Sequence, residues 1–352
     1  MYLWREFGLA EVRGVQRGPA GGRAYMIARL ERLATNPLIT PSQIPFTRAS
    51  GAFNPGACVD RASGGVVLLV RVFEEDTRRS CLALALSLDG RQIDEIRDRP
   101  AVRREAPYEE WGVEDARITY LEDEERYAIT YTGYSPAGPR VCLITTDDLL
   151  DPARYRRHGP RIAGDNKNCV IFPRKVGGQY VILHRPMPRI VCVRVDSLED
   201  EWPRDGVEIL GPRPGSWRSS RVGAGAPPVA TRLGWLFPFH GATEIEEGNV
   251  YSMGWCILDH ETPERVLYVS ASPALTPEAR YEIDPGPLPQ VDMANFRTGV
   301  RVVFPQGLVE RGEDLLVYYG AADVMVAAAR VNREALLDSL EAAITVSISA
   351  AC

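Results

Sequence analysis

Two carboxylates and an arginine stand at the start of a predicted strand. The segment is Glu114-Asp115-Ala116-Arg117, and alternating β-branched and aromatic residues follow it as far as Tyr134. The acidic turn 122–125 divides these residues into two runs, a pattern that predicts a hairpin. Carboxylates in such a place are costly to bury unless they are paired, so we expect Glu114 to pair with Arg117. The cluster is either a structural ion pair or an acid site, because both perturb carboxylates.

Other polar residues recur at similar points between apolar runs. Before the turns of successive hairpins these residues are Asn54, Glu114 with Asp115, and Lys167 with Asn168. At the ends of the runs after the turns they are Arg71, Thr132, His184, Arg185, His240 and Tyr319. Arginine and lysine form strong, charge-assisted contacts with anions, so a site that gathers them with one acid could bind an anionic co-substrate.

The apolar runs that carry these residues repeat five times. Each repeat has a first run, a turn, a second run and a third run. The second runs align without gaps and span residues 66–71, 127–132, 180–185, 235–240 and 315–320. The first run of the fourth repeat is taken as Pro227-Pro228-Val229. A period of roughly 55–75 residues with three or four strands is typical of propeller blades.

We therefore predict an all-β protein, a five-bladed β-propeller formed by a single domain over residues 1–352. The prediction includes an N-terminal extension (1–40) and a short C-terminal helix and tail (333–352). A β-sandwich is the alternative fold. In a propeller the innermost strands line a central channel, so the polar residues of successive repeats should converge there. Asp115, Lys167, Arg185 and His240 are expected to face one pocket.

Composition excludes several classes of partner. The net charge is −6, whereas nucleic-acid binders usually carry a basic balance. The seven cysteines form no C-x-x-C pair or metal spacing, which favours a reducing cytoplasm. The sequence has no recognisable signal peptide and no apolar run long enough to span a membrane. We expect a cytoplasmic protein with no membrane partner and no metal. A homo-oligomer is compatible with the sequence, which does not fix the oligomeric state.

In several ordered motifs the sequence resembles glycoside hydrolase family 130, the β-mannoside phosphorylases. The resemblance extends from about residue 36 to residue 340. Its motifs lie at residues 53–57, 113–118, 127–134, 167–173, 183–186, 239–241, 303–305 and 318–323. The resemblance implies a five-bladed propeller, in agreement with the repeat. The sequence departs from the family pattern at Ala116, where proline is common, and in an acidic insert at 243–249.

The resemblance also implies roles for individual residues. Asp115 matches the general acid, which is thought to act through a sugar hydroxyl. The residues implied to hold inorganic phosphate are Lys167, Asn168, Arg185, His240 and Tyr319. The residues implied to contact the sugar are Arg48, Asn54, Arg117 and Asp323.

The balance of charges favours phosphorolysis over hydrolysis. The leaving oxygen of a glycoside needs a proton, and a hydrolase usually needs a second carboxylate as well. A phosphorylase needs only the acid, because inorganic phosphate is the co-substrate and nucleophile. The expected products are α-mannose 1-phosphate and an acceptor sugar, with no cofactor. The alternatives are an inverting β-mannosidase with Glu244, Glu246 or Glu247 as the base, and a non-catalytic sugar-binding propeller. The linkage, β-1,2 or β-1,4, and the acceptor stay open.

Overall fold

Five antiparallel sheets form the body of the computed structural model, which describes residues 15–16, 25–284 and 299–349. In the first three sheets, strands adjacent in sequence pair with each other. Blade 1 contains β4 (Ala49–Val59), β5 (Val66–Glu74), β6 (Arg79–Ser87) and β7 (Glu95–Val102). Blade 2 contains β8 (Gly112–Leu121), β9 (Arg126–Ser135), β10 (Gly138–Thr146) and β11 (Arg156–Pro160). Blade 3 contains β12 (Lys167–Ile171), β13 (Tyr180–Arg185), β14 (Ile190–Val195) and β15 (Val207–Leu210).

The last two blades depart from this simple order. In blade 4 the first strand is split in two. Blade 4 contains β16 (Arg221–Ala224), β17 (Val229–Thr231), β18 (Gly234–Ile245), β19 (Gly248–Leu258) and β20 (Val266–Val269). Blade 5 contains β21 (Gly299–Arg311), β22 (Asp314–Ala321), β23 (Met325–Asn332) and, as its outer strand, β3 (Glu31–Arg32). The N-terminal part of the chain therefore completes the last blade, through Ala329 opposite Arg32.

The pairing register confirms the predicted repeat and its five-bladed arrangement. The sixth residues of the aligned second runs are Arg71, Thr132, Arg185, His240 and Gly320. Their partners on the first strands are Phe53, Glu114, Lys167, Gly223 and Phe304. The predicted position of the first run of blade 4, at Pro227-Pro228-Val229, was wrong. Gly223, and not Pro227 or Pro228, lies opposite the site end of the second strand. Position six therefore defines the same height in every blade.

The hydrophobic core is divided among the contacts between neighbouring blades. Side chains alternate along each second strand, so Val67 and Leu69 pack toward blade 2 while Leu68 and Val70 pack toward blade 5. Three further clusters join blades 2 and 3, 3 and 4, and 4 and 5. Each blade is thus buried on both faces, which explains why the second strands are apolar at nearly every position.

Short 3-10 helices lie in connectors, at Pro41–Gln43, Pro107–Glu109 and Pro152–Arg154. The remaining strands and α-helices lie at the ends of the chain and between blades. They are β1 (Val15–Gln16), β2 (Tyr25–Met26), α1 (Arg280–Ile283) and α2 (Arg333–Ser349). The predicted terminal helix is confirmed as α2, which packs Leu336, Leu337 and Leu340 against the contact of blades 4 and 5. Of the predicted extension 1–40, residues 1–14 and 17–24 lie outside the described residues, as does the tail 350–352, whereas Glu31–Arg32 belong to blade 5 as β3. None of the described helices is long and apolar enough to cross a membrane.

Candidate active site

The same β-bulge occurs in the first strands of blades 1, 2 and 3. In each, one extra residue interrupts the register, between Phe53 and Gly56 in blade 1 and at the equivalent places in blades 2 and 3. The residue after the position-six partner is Asn54, Asp115 or Asn168, with φ of 50°, 54° and 54°. Asparagine and aspartate tolerate this left-handed region better than other non-glycine residues. The bulge therefore turns three short polar side chains toward the channel at one height.

Two glycines make room for these side chains. A Cβ atom on Gly320 would lie 1.9 Å from Oδ1 of Asn54, and one on Gly223 would lie 2.5 Å from Nδ2 of Asn168. Both distances are far inside van der Waals contact. The first strand of blade 4 and the second strand of blade 5 therefore contribute backbone where the other blades contribute side chains.

Asp115 lies in a buried network of charges supplied by blades 1, 2 and 3. Its Oδ1 accepts a hydrogen bond of 3.0 Å from Nδ2 of Asn54 and one of 3.4 Å from Nη1 of Arg71. The other arm of Arg71 donates to Oε1 of Glu114 at 2.7 Å, and Nζ of Lys167 lies 3.6 Å from Oε2 of Glu114. Burial alone would raise the pKa of Asp115. Arg71, followed by Lys167 and Arg117, outweighs that effect and holds the pKa below its usual value.

Arg117 does not pair with Glu114, so that expectation was wrong. Its Nε donates to the carbonyl of Gly225 at 2.9 Å, Nη1 to the carbonyl of Asp115 at 2.8 Å, and Nη2 to Oδ1 of Asn168 at 3.2 Å. The residue is 1% exposed. The guanidinium is thus held by oxygen acceptors near the channel axis, an arrangement that does not favour the predicted sugar contact, which stays a prediction. Arg117 instead braces the bulges of blades 2 and 3.

A second cluster contains Asn168, Arg185 and His240. Nε2 of His240 lies 3.3 Å from Nδ2 of Asn168 and 3.4 Å from Nη1 of Arg185. Both neighbours are donors, since Oδ1 of Asn168 accepts from Arg117, so Nε2 must be the acceptor and the ring is neutral. Burial, followed by Arg185, Arg117 and Arg221, lowers the pKa of His240 well below its usual value. His240 therefore offers a neutral donor rather than positive charge, through its Nδ1–H, which has no hydrogen-bond partner among the described residues.

Arg185 is a buried cation without a carboxylate partner among the described residues. Its Nε has no hydrogen-bond partner there, and the residue is 8% exposed. Burial lowers the pKa of Arg185 to about 10. A guanidinium taken out of water without a counter-charge is costly, so this one indicates a place for an anionic ligand.

Arg221, which the sequence reasoning missed, lies near the same place. It starts β16, two residues before Gly223 and thus on the same side of the strand. Its Nε donates to the hydroxyl of Tyr251 at 3.2 Å. Its charge acts on both Arg185 and His240. The correct position of the first run in blade 4 would have pointed to this residue.

Tyr319 and His184 lie one position before the channel-facing residue of their strands and therefore point to the opposite side. The hydroxyl of Tyr319 donates to Oε1 of Glu282 at 2.7 Å, between blades 4 and 5. Its predicted contact with phosphate is therefore not supported. Position six in blade 5 is Gly320, so the alternation of side chains explains the error.

Arg48 and Asp323, which were predicted to bind sugar, lie at the pocket end of the sheets. The side chain of Arg48 is 76% exposed and pairs with Glu75 at 2.6 Å. Asp323 lies in the turn between β22 and β23, with φ of 53°, and interacts electrostatically with Arg71 and Tyr251. The position of Asp323 fits a sugar contact better than that of Arg48, and both roles stay predictions.

The glutamates proposed as a hydrolytic base lie away from these clusters. Glu244, Glu246 and Glu247 are exposed at the tip of the hairpin between β18 and β19. None of the described contacts joins them to Asp115 or to the cations. Their placement does not favour the hydrolase alternative.

His184 lies behind Arg185 and supports it through Asn166, whose Oδ1 accepts from the backbone N–H of Arg185 at 3.1 Å. This contact makes the stability of the fold depend on pH. Nδ1 of His184 accepts from Nδ2 of Asn166 at 2.9 Å, and Nε2 donates to the carbonyl of Pro203 at 3.1 Å. Burial lowers the pKa of His184 from 6.5 to about 4. Because the unfolded chain takes up the proton first, stability is complete above pH 6.5 and falls as the pH drops toward 4.

Between pH 7 and pH 5 this residue should account for a loss of about 2 kcal/mol in the free energy of unfolding. Urea denaturation of the wild type and of His184→Gln at both pH values measures it. The variant should lose less stability than the wild type by that amount. Equal losses in the two proteins would contradict the assignment.

The fold and the site together define a class of protein: a five-bladed propeller whose channel holds two buried carboxylates, Glu114 and Asp115, beside Arg185, a buried cation with no carboxylate partner among the described residues. A family model described as beta-1,4-mannooligosaccharide phosphorylase matches residues 27–342. The chain therefore belongs to glycoside hydrolase family 130, which confirms the resemblance seen in the motifs.

Individual relatives agree with this family assignment. The chain is 32% identical over 310 residues to a 1,2-beta-oligomannan phosphorylase of Thermoanaerobacter sp. (strain X514), covering 86% of this chain and 96% of the relative. It is 34% identical over 269 residues to a beta-1,2-mannobiose phosphorylase of Listeria innocua, covering 75% and 70%. A solved structure of the Listeria innocua beta-1,2-mannobiose phosphorylase with beta-1,2-mannobiose superimposes with a TM-score of 0.75 at 29% identity, covering 89% and 99%.

Proposed function

We propose that this protein is a glycoside phosphorylase that cleaves a β-mannoside with inorganic phosphate and releases α-mannose 1-phosphate and an acceptor sugar. The observation that carries the proposal is the buried guanidinium of Arg185, which has no carboxylate partner in the described part of the chain. A hydrolase has no use for such an unpaired cation, whereas phosphate would supply its counter-charge and accept its hydrogen bonds.

The phosphate is proposed to lie among the residues of blades 3 and 4. Lys167, Arg185 and Arg221 would supply positive charge, and Asn168 and the Nδ1–H of His240 would add neutral donors. Arginine forks match the oxygens of phosphate in geometry as well as in charge. An oxygen of the phosphate would then attack the anomeric carbon while the glycosidic C–O bond breaks.

Asp115 is proposed to be the general acid that gives the leaving oxygen its proton, through a sugar hydroxyl as the resemblance implies. Its lowered pKa means that the free enzyme holds it ionised at neutral pH. A bound phosphate offsets the charge of Lys167 and Arg185, so substrate binding should raise the pKa of Asp115 and favour its protonated form. Binding of the nucleophile would thus bring Asp115 into the protonated form that a general acid needs.

The linkage is proposed to be β-1,2. The relatives from Thermoanaerobacter and Listeria innocua, each above 30% identity, are named for β-1,2-linked mannans or mannobiose. The β-1,4 linkage remains the alternative, because the description of the family model names it.

The test is a panel of β-1,2- and β-1,4-mannobiose incubated with increasing phosphate, with mannose 1-phosphate and free mannose both measured. Release of mannose 1-phosphate should depend on phosphate and saturate, with β-1,2-mannobiose the better substrate. Free mannose formed at the same rate without phosphate would overturn the proposal in favour of hydrolysis.

A further inference from the structure

Blade 2 contains a buried cluster of Tyr131, Glu109 and Arg157 that the reaction does not use. The hydroxyl of Tyr131 donates to Oε1 of Glu109 at 2.7 Å, and Arg157 pairs with the same oxygen. Oε2 of Glu109 accepts from the backbone N–H groups of Glu105 and Ala106 at 2.8 and 3.2 Å. Glu109 is fully buried. One carboxylate thereby ties the connector 103–111 to both the second and the fourth strand of the blade.

Blade 5 contains an equivalent cluster of Tyr319, Glu282 and Arg32. The tyrosine again donates to the glutamate, the arginine again pairs with it, and two backbone N–H groups of the connector again donate to Oε2. The sheet positions also match. In blade 2, Ile144 lies between Ile129 and Arg157, and in blade 5, Ala329 lies between Val317 and Arg32. Two independent copies of one arrangement indicate a specific device for holding the connector that leads into a blade.

In blade 2 that connector leads into the active site. It ends at Trp111, whose backbone N–H donates to the carbonyl of Tyr134 at 2.8 Å and whose ring meets that of Tyr134 edge-on at 5.1 Å. The ring of Tyr134 in turn lies 5.1 Å from Nζ of Lys167. The residue after Trp111 is Gly112, which begins the strand that carries Asp115. A shift of the connector would therefore move the wall against which Lys167 rests.

We propose that Tyr131, Glu109 and Arg157 are positioning residues for the phosphate site: they fix the connector 103–111 and, through Trp111 and Tyr134, the ammonium group of Lys167. The proposal rests on the function proposed above, in which Lys167 binds phosphate. It also gives a role to position five of the second strand, which lies on the side opposite the pocket.

The test compares the KM for phosphate in Glu109→Gln, Tyr131→Phe and a control, Tyr318→Phe. Tyr318 is also a buried tyrosine, but its hydroxyl donates to the carbonyl of Gly90 at 2.5 Å, at the end of the sheets away from the pocket. Glu109→Gln should raise the KM for phosphate about tenfold, because small misplacements of a binding group are strongly felt in an active site. Tyr131→Phe should raise it in the same direction by less, and Tyr318→Phe should leave it unchanged.

A purely structural role predicts something different: all three variants would melt at lower temperature and keep the wild-type KM for phosphate. Wild-type KM values in folded Tyr131→Phe and Glu109→Gln would overturn the proposal, as would an equal rise in Tyr318→Phe. Should Glu109→Gln fail to fold, Tyr131→Phe decides. The proposed function is checked separately on the wild type, since phosphate-independent cleavage there would refute it whatever the variants do.

Discussion

Asp115→Asn is expected to lower kcat for phosphorolysis by about two to four orders of magnitude, the usual contribution of a positioned general acid. The substitution is nearly isosteric. Asparagine accepts the left-handed backbone at φ 54°, and its Oδ1 can still accept from Asn54 and Arg71. The loss should therefore fall on proton transfer, with KM for phosphate much less affected.

The control is Asp165→Asn. Asp165 is also an aspartate at the pocket end of blade 3, but its side chain is 67% exposed and pairs with Arg140 on the surface. The Asp165→Asn variant should leave kcat unchanged. Measurements of kcat, KM and circular dichroism on both variants make the comparison. Near-normal turnover in a folded Asp115→Asn protein would remove Asp115 from the mechanism.

The height of the site in the fold was predictable because the apolar second runs align without gaps. Position six of those runs identifies Arg71, Arg185 and His240, and all three lie at the channel. The bulges that turn Asn54 and Asp115 inward were not predictable in geometry, because a left-handed residue leaves only a weak compositional trace. The asparagine and aspartate residues in matching places were that trace.

Which charged groups pair with each other could not be predicted from the sequence. Glu114 and Arg117 are three residues apart, yet Glu114 pairs with Arg71 of blade 1, and Arg117 reaches the backbone carbonyl of Gly225 in blade 4. Both contacts cross between blades and depend on how the sheets pack around the axis. Tyr319 was misassigned by one position on its strand. Neighbouring positions point to opposite sides, so its side chain lies in the contact between blades and not in the pocket.

Arg185→Met is expected to weaken phosphate binding and stabilise the free protein at the same time. The loss of one charged hydrogen-bonding group should raise the KM for phosphate by about 10- to 100-fold, from roughly 1.5–3 kcal/mol. The free enzyme, however, has the guanidinium buried without a carboxylate, and burial lowers its pKa to about 10. Replacing it with an apolar side chain of similar length removes that desolvation cost.

The matched control is Arg189→Met, four residues further along the chain. Arg189 is on the hairpin between β13 and β14, its side chain is 53% exposed, and it pairs with Glu208 at 2.9 Å. A solvent-exposed pair of this kind contributes little, so this variant should change neither the KM for phosphate nor the melting temperature by much.

The opposite signs of the two effects separate an anion site from a structural arginine. If Arg185 were only a brace, its replacement would lower the melting temperature, and phosphate would stabilise wild type and variant equally. If it binds phosphate, the variant should melt higher than wild type in phosphate-free buffer, and added phosphate should raise the melting temperature of the wild type much more than that of the variant. Melting curves with and without phosphate, together with the KM for phosphate, decide between them. A variant that is both less stable and unchanged in its KM for phosphate would refute the assignment of Arg185 to the nucleophile.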